Sequence, residues 1–238
     1  MTETPLVSII IPAHNEERRL PDTLNKVFDF LSSQTYPAEV LVVENGSGDR
    51  TVEVAREYTR RYPNLEVIHE NGRGKGRAIK LGMLRGRGKY LFMADADLSM
   101  PIAELNHFIP PQLSDFDIAI GSREAPGARR YDEPFYRHWG GRLINAIIRL
   151  MALPGLHDTQ CGFKCFRAEV AKDLFSLQTL DGFAFDVEVL FLARRRSYHI
   201  VEVPVNWYFD PESKVHLIKD TLRMILDIWT IRQKHYML

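Results

Sequence analysis

The stretch Tyr90-Leu91-Phe92-Met93-Ala94-Asp95-Ala96-Asp97 decides the fold. Five apolar residues in a row predict a buried strand, and the acidic pair stands at its carboxyl end. In extended chain, residues i and i+2 point the same way, with Cα atoms ~6.6 Å apart. Two carboxylates so placed can share a divalent cation. A hard cation with so few protein ligands completes its shell with phosphate oxygens and water. The pattern points to a diphosphate held beyond the strand end. The alternative is a solvated loop, because D-x-D is common by chance, and the flanking sequence weighs the two.

Outward from this strand, the first half alternates strand and helix patterns. Val7–Ile11 and Val40–Val43 are β-branched runs, and Leu65–His69 is a third strand. Helices are predicted from Leu20, with Pro21 suited to a first turn, over Thr51–Tyr62 and over Arg77–Arg85. Phe116–Gly121 supplies a further strand. Continuous apolar strands separated by helices imply a parallel sheet covered on both faces. Ligands of such sheets bind beyond the carboxyl ends of the strands. The second half predicts a helix over Tyr136–Met151, a strand near Phe163–Phe166, a helix over Asp186–Arg195 and a strand over Ile200–Val205. The layout is one domain: residues 1–125 as a nucleotide-binding half, 126–215 as an acceptor half, and 216–238 as an amphipathic C-terminal helix.

The 238 residues are 45% hydrophobic, ample for a sizeable core. Lys+Arg and Asp+Glu both number 31, so no global field recruits nucleic acid. The opening MTETP has neither a basic nor an apolar leader region, and no apolar run approaches the ~20 residues of a membrane span. The two cysteines, Cys161 and Cys165, read as buried thiols of a cytosolic protein.

Polar residues follow three strands in series: Pro12-Ala13-His14-Asn15-Glu16, Glu44-Asn45-Gly46-Ser47-Gly48-Asp49, and Asp95-Ala96-Asp97. In a doubly wound sheet these loops converge. Glu16, Glu44, Asn45 and Asp49 offer acceptors to base and ribose, although Asp49 before Thr51 equally suits a helix cap. Gly72-Arg73-Gly74-Lys75-Gly76-Arg77 opens a helix and presents amides and cations to a phosphate. It matches neither G-x-G-x-x-G nor the P-loop pattern, which removes the main support for an oxidoreductase or a P-loop enzyme.

With SIIIPAHNEERRL, VVENGSGDRT, GRGKGRAIKLGM, FMADADLS, IGSR, DTQCGFKCF, FAFDVEVLF, EVPVNW and ESK on the page, the chain resembles family 2 glycosyltransferases with the A-type (GT-A) fold. That fold is an α/β architecture, a Rossmann-like, mostly parallel sheet with helices on both faces. More narrowly the chain resembles the dolichyl-phosphate (polyprenyl-phosphate) sugar synthases, and within them the glucosyl branch. The resemblance implies transfer of a hexose, with inversion, from a nucleotide sugar (a UDP-hexose, foremost UDP-glucose) to a polyprenyl or dolichyl phosphate. It implies Mg²⁺ or Mn²⁺ on Asp95 and Asp97. The donor set it implies is Pro12, His14, Glu16, Val43, Asn45, Lys75, Asp95, Ala96 and Asp97. The acceptor set is Arg123, Arg137, Asp158, Gln160, Ser213 and Lys214, and Asp97, Arg123 and Asp186 are the catalytic candidates. Glu44-Asn45 departs from the usual Asp-Asp, His14 from the usual Tyr, and Ser99 from the Gln of the mannosyl branch.

A phosphate acceptor needs positioning more than a base, because its second pKa of ~6 leaves it largely anionic at neutral pH. A hydroxyl acceptor would require a carboxylate base, Asp186 or Glu188. The other readings are a GDP-mannose donor and a catalytically silent nucleotide-binding or scaffolding protein. In the C-terminal helix Ile218, Leu222, Ile225 and Trp229 share an apolar face that Leu217, Thr221, Met224 and Ile228 broaden. That face could lie in the membrane interface, pack on the domain or form a homo-oligomer. A lipid acceptor would put the protein peripherally on the cytoplasmic membrane face.

Overall fold

The computed structural model describes residues 4–211 and 217–235, with the side chains of 136, 137 and 217–222 excepted. Its sheet has seven strands: β1 (Val7–Ala13), β2 (Ala38–Glu44), β3 (Leu65–His69), β4 (Tyr90–Met93), β5 (Ile118–Ser122), β7 (Lys164–Arg167) and β8 (Ile200–Pro204), in the order β3-β2-β1-β4-β7-β5-β8. Of its six pairings, those of β7 with β4 and β5 are antiparallel, and the other four are parallel. A separate parallel pair joins β6 (Arg129–Tyr131) to β9 (Asn206–Tyr208). Because β7 lies between β4 and β5, residues of the two sequence halves interleave in one sheet.

The apolar runs are continuous because both sheet faces are covered. Ile10, Leu41, Val43, Leu91 and Met93 belong to one core layer, and Ile9, Ile11, Val40, Val42 and Phe92 to the other. This is the period-2 alternation of a strand with two dry faces. Helix α1 (Leu20–Ser32) starts with Pro21 in its first turn and buries Leu20, Leu24, Val27 and Phe28. Helix α2 (Thr51–Thr59) follows β2, and Phe28 stacks on Tyr62 beyond its end, ring centroids 3.7 Å apart. Helix α3 (Lys75–Arg85) begins two residues earlier than its pattern predicts, with Gly74 at φ 135° before it. Helix α4 (Phe135–Met151), α5 (Ala168–Leu177), α6 (Phe185–Arg195) and α7 (Leu217–Lys234) complete the chain, with a 3-10 turn at Ile102–Phe108.

The C-terminal helix packs on the domain rather than offering its whole apolar face. Met224, Ile228 and Ile231 are buried in the core, whereas Trp229 and Leu226 are exposed. The packed part is thus the Met224 and Ile228 edge of the predicted face, and Trp229 stays outside it. Arg232 donates to the Met151 carbonyl at 3.0 Å, and His235 Nε2 lies 2.8 Å from the buried Glu188 carboxylate. These contacts tie α7 to α4 and α6.

Gly82 brings α3 down onto the sheet. A Cβ there would collide with Ile10 Cγ2 and press on Val43 Cγ2. In an exposed helix Gly→Ala gains ~1 kcal/mol, whereas overpacking costs ~1–3 kcal/mol. Gly82→Ala should therefore lower the denaturation midpoint, and a raised midpoint in urea would contradict this packing.

Candidate active site

The loops after β1 and β2 and the glycine turn before α3 are bonded to one another. His14 Nδ1 donates to the Asn45 carbonyl at 3.0 Å, and Asn45 Nδ2 donates to the Gly74 carbonyl at 3.1 Å. Asn45 is buried, so its amide braces the loops. Glu44 is fully buried, accepting from the Ser47 amide and meeting His69 Nδ1 at 2.5 Å. Burial opposes its charge, but Ser47 and His69 outweigh that and hold the carboxyl below its ordinary range. Asp49 accepts from the Thr51 and Glu17 amides, organising the start of α2. Glu16 pairs with Arg19 at 3.0 Å, and Arg19 with Asp210 at 2.9 Å. Pro12 pairs in register with Val43. Val43 is an inward residue of β2, its side chain wholly buried under Gly82 of α3.

Beyond β4 the charges concentrate. Lys75 Nζ lies 2.5 Å from Asp95 Oδ1. Burial disfavours the Lys75 ammonium, yet Asp95, Asp186 and Asp97 around it outweigh burial and raise its pKa. Asp97 accepts from the Ser99 amide at 2.9 Å, and its pKa is raised by burial and then by the Asp95 charge. Two carboxylates that repel in a partly dry site suit a hard dication, which relieves both burdens at once. Among the described residues no cluster of three or more His, Cys, Asp or Glu could hold a metal. A cation on Asp95 and Asp97 would therefore take its remaining ligands from substrate and water. Ala96 is buried, and its carbonyl accepts from Thr23 Oγ1, which fixes the acidic turn to α1.

Asp186 is enclosed. Lys164 Nζ donates to its Oδ1 at 2.7 Å and to the Cys161 carbonyl at 2.6 Å, and both side chains are buried. Burial raises the Asp186 pKa against the pull of Lys164 and Lys75. Gly162 lets this loop reach the acidic turn, since a Cβ there would run into the Asp95 carboxylate.

Arg123 grips Asp158 through two parallel bonds, Nε to Oδ2 at 2.7 Å and Nη2 to Oδ1 at 2.9 Å. The Arg123 amide adds a third at 2.9 Å. Burial alone would neutralise Asp158, but Arg123 holds its carboxyl far below the ordinary range. Asp158 is completely buried, its oxygens bonded chiefly by Arg123. The guanidinium also lies 5.5 Å from the Trp207 ring centroid. Gln160 donates its amide to Asp158 at 3.3 Å, and its Nε2 is buried with no partner among the described residues. Arg137 is placed by backbone alone, early in α4. Ser213 and Lys214 lie outside the described residues.

Three residues here escaped the sequence reasoning. Lys164 occupies a strand beside Phe163 and Cys165, where an inward lysine is legible only once its partner is known. Gly162 is explained by Asp95 alone, and Trp207 by the two arginines, Arg123 and Arg130, over its ring.

The family model described as Glycosyl transferase family 2 matches residues 8–175. A dolichyl-phosphate beta-glucosyltransferase of Trichomonas vaginalis is 35% identical over 97% of this chain and 77% of its own length. Its namesake from Mus musculus is 32% identical over 98% and 76%. Among solved structures, glucosyl-3-phosphoglycerate synthase from Mycobacterium tuberculosis, in complex with Mn²⁺, UDP and phosphoglyceric acid, superposes with a TM-score of 0.68. Its identity is 16%, over 95% of this chain and 78% of that one.

Breaking a buried pair on one side strands a charge at a cost of ~3–5 kcal/mol. Asp158→Ala should cost that much by chemical denaturation, and Arg123→Met/Asp158→Leu should recover most of it. A single variant as stable as the parent would mean that the pair does not hold this loop.

Proposed function

We propose that this chain, which belongs to glycosyl transferase family 2, moves glucose from UDP-glucose to a polyprenyl or dolichyl phosphate, inverting the anomeric centre. The observation that carries the reading is the charge arrangement beyond β4: Lys75 amid Asp95, Asp97 and Asp186, with Asp186 closed off by Lys164. The relatives named dolichyl-phosphate beta-glucosyltransferase favour glucose over mannose and a lipid phosphate over other acceptors.

Asp95 and Asp97 would hold Mg²⁺ or Mn²⁺, and the bound ion supplies charge neutralisation for the diphosphate leaving group. Lys75, kept protonated by three carboxylates, adds positive charge at the same place. The bonded loops at His14, Asn45 and Gly74 hold a fixed wall for the nucleotide. Arg123 keeps its charge at any physiological pH, and its two bonds to Asp158 fix its orientation before an acceptor arrives. Attack by a phosphate oxygen opposite the departing diphosphate inverts the anomeric carbon. That oxygen is already anionic, so no side chain has to take its proton. A hydroxyl acceptor would need one, and Asp186 is committed to Lys164. A lipid tail on the acceptor favours reaction at a membrane surface, which in this reading is the cytoplasmic face. No helix among the described residues is long and apolar enough to cross a bilayer.

Transfer of radiolabelled glucose to dolichyl phosphate tests the reading. Asp97→Ala should abolish it, a loss of at least ~100-fold, and chelator should do the same to the parent. Asp186→Asn should cost less than about tenfold, because the residue is not asked to move a proton. A loss of ~10³-fold or more in a folded Asp186→Asn protein would make it the base and point to a hydroxyl acceptor.

A further inference from the structure

A second polar site lies along α4, separate from the charges beyond β4. A cavity of ≈ 150 Å³ is lined by Glu124, Arg142, Asn145, Arg149 and His157. A single water needs only ~10–15 Å³ by this measure, so the cavity has room for a polyatomic group. Arg142, Asn145 and Arg149 recur at i, i+3 and i+7 of α4, the spacing of one helix face.

The donor balance of the cavity is uneven. Arg149 has no ion-pair partner among the described residues, and Arg142 reaches Glu124 only at 4.0 Å. Glu124 is already held by Arg130 at 2.5 Å. His157 Nδ1 is tied to Glu202 at 2.8 Å, and among the described residues its Nε2 has no partner. Asn145 is 7% exposed; its Nδ2 donates to Asp158 at 3.4 Å, while its Oδ1 has no partner. A buried amide oxygen without a donor is costly. The cavity therefore asks for an anion that also carries a hydroxyl: two guanidinium groups for a phosphate, and an acceptor for an O–H.

The rest of α4 indicates where that group comes from. Phe135, Trp139, Leu143 and Leu150 are 77, 57, 61 and 88% exposed. Four large apolar side chains in solvent on one helix, interleaved with arginines, are the composition of a helix lying in a bilayer interface. A soluble phosphate compound would leave them uncovered.

We propose that the α4 cavity binds the phosphodiester headgroup of an anionic, hydroxyl-bearing phospholipid, with Phe135, Trp139, Leu143 and Leu150 entering the acyl boundary. Arg142 and Arg149 take the phosphate, and Asn145 Oδ1 accepts from the headgroup hydroxyl. The lipid is a docking ligand and is not consumed. The inference rests on the reading that the acceptor lies in a membrane, and it adds a binding site to which none of the donor or acceptor residues belongs.

Vesicle co-sedimentation of the full chain tests it, with phosphatidylcholine alone and with phosphatidylcholine containing phosphatidylglycerol. Arg142→Ala/Arg149→Ala should weaken binding to the anionic vesicles by about tenfold or more, at ~1 kcal/mol per arginine near the surface. The control Arg56→Ala/Arg60→Ala removes the same charge from exposed positions in and just after α2 and should bind like the parent. An equal loss in both variants would overturn the site in favour of diffuse charge attraction. Inorganic phosphate that displaces the vesicles at millimolar concentration would overturn it in favour of a free-phosphate site. Transfer to a short, water-soluble prenyl phosphate without vesicles should be unchanged in Arg142→Ala/Arg149→Ala. That arm keeps the two readings apart, because the parent's own activity in it bears on transfer alone.

Discussion

The contact between Lys75 Nζ and Asp95 Oδ1, 2.5 Å long, is the constraint on which the rest of the site depends. It joins the first turn of α3 to the end of β4, and so sets the glycine turn against the acidic turn. Asp95 and Asp97 repel each other in a partly dry place, and Asp186 adds a third carboxylate nearby. One lysine cannot neutralise three carboxylates. Lys164 takes up Asp186, and negative charge remains at Asp95 and Asp97, where we propose that the diphosphate and its cation bind. On that proposal the acidic pair costs folding free energy that ligand binding would recover, as expected of a binding site rather than of a structural ion pair.

The glycines of this region follow from the same constraint. Gly74 and Gly76 lie against the carbonyls of Asp181 and Leu180, and Gly162 lies against the Asp95 carboxylate. Each removes a Cβ where backbone must approach backbone or charge. Glu188 fastens the far side of the 178–180 segment, accepting from the Thr179 and Leu180 amides and meeting His235 of the C-terminal region. The donor-side turn, α6 and the end of α7 are in this way one connected body of hydrogen bonds.

Much of this was legible before the fold was known, for reasons that differ by element. The strands up to Asp95 are continuous apolar runs because two dry faces demand them, and Asp95-Ala96-Asp97 is conspicuous against that background. Helix α5 was missed because Arg167 passes straight from β7 into it, with no Gly, Pro or capping bond to mark the boundary. Strands β6 and β9 have three residues each, too few to display a period. Asp158 carries no sequence sign of being buried, since only Arg123, 35 residues away, makes that burial tolerable. Helix α7 has a wide apolar face, and contact with α4 and α6 selected the part of it that contains Met224, Ile228 and Ile231.

Calorimetric titration of UDP-glucose and of GDP-mannose, each with Mn²⁺ and with chelator, tests the central claim most directly. The account predicts that UDP-glucose binds only when the metal is present and that GDP-mannose does not compete. Equal affinity with and without metal, or preference for GDP-mannose, would contradict it.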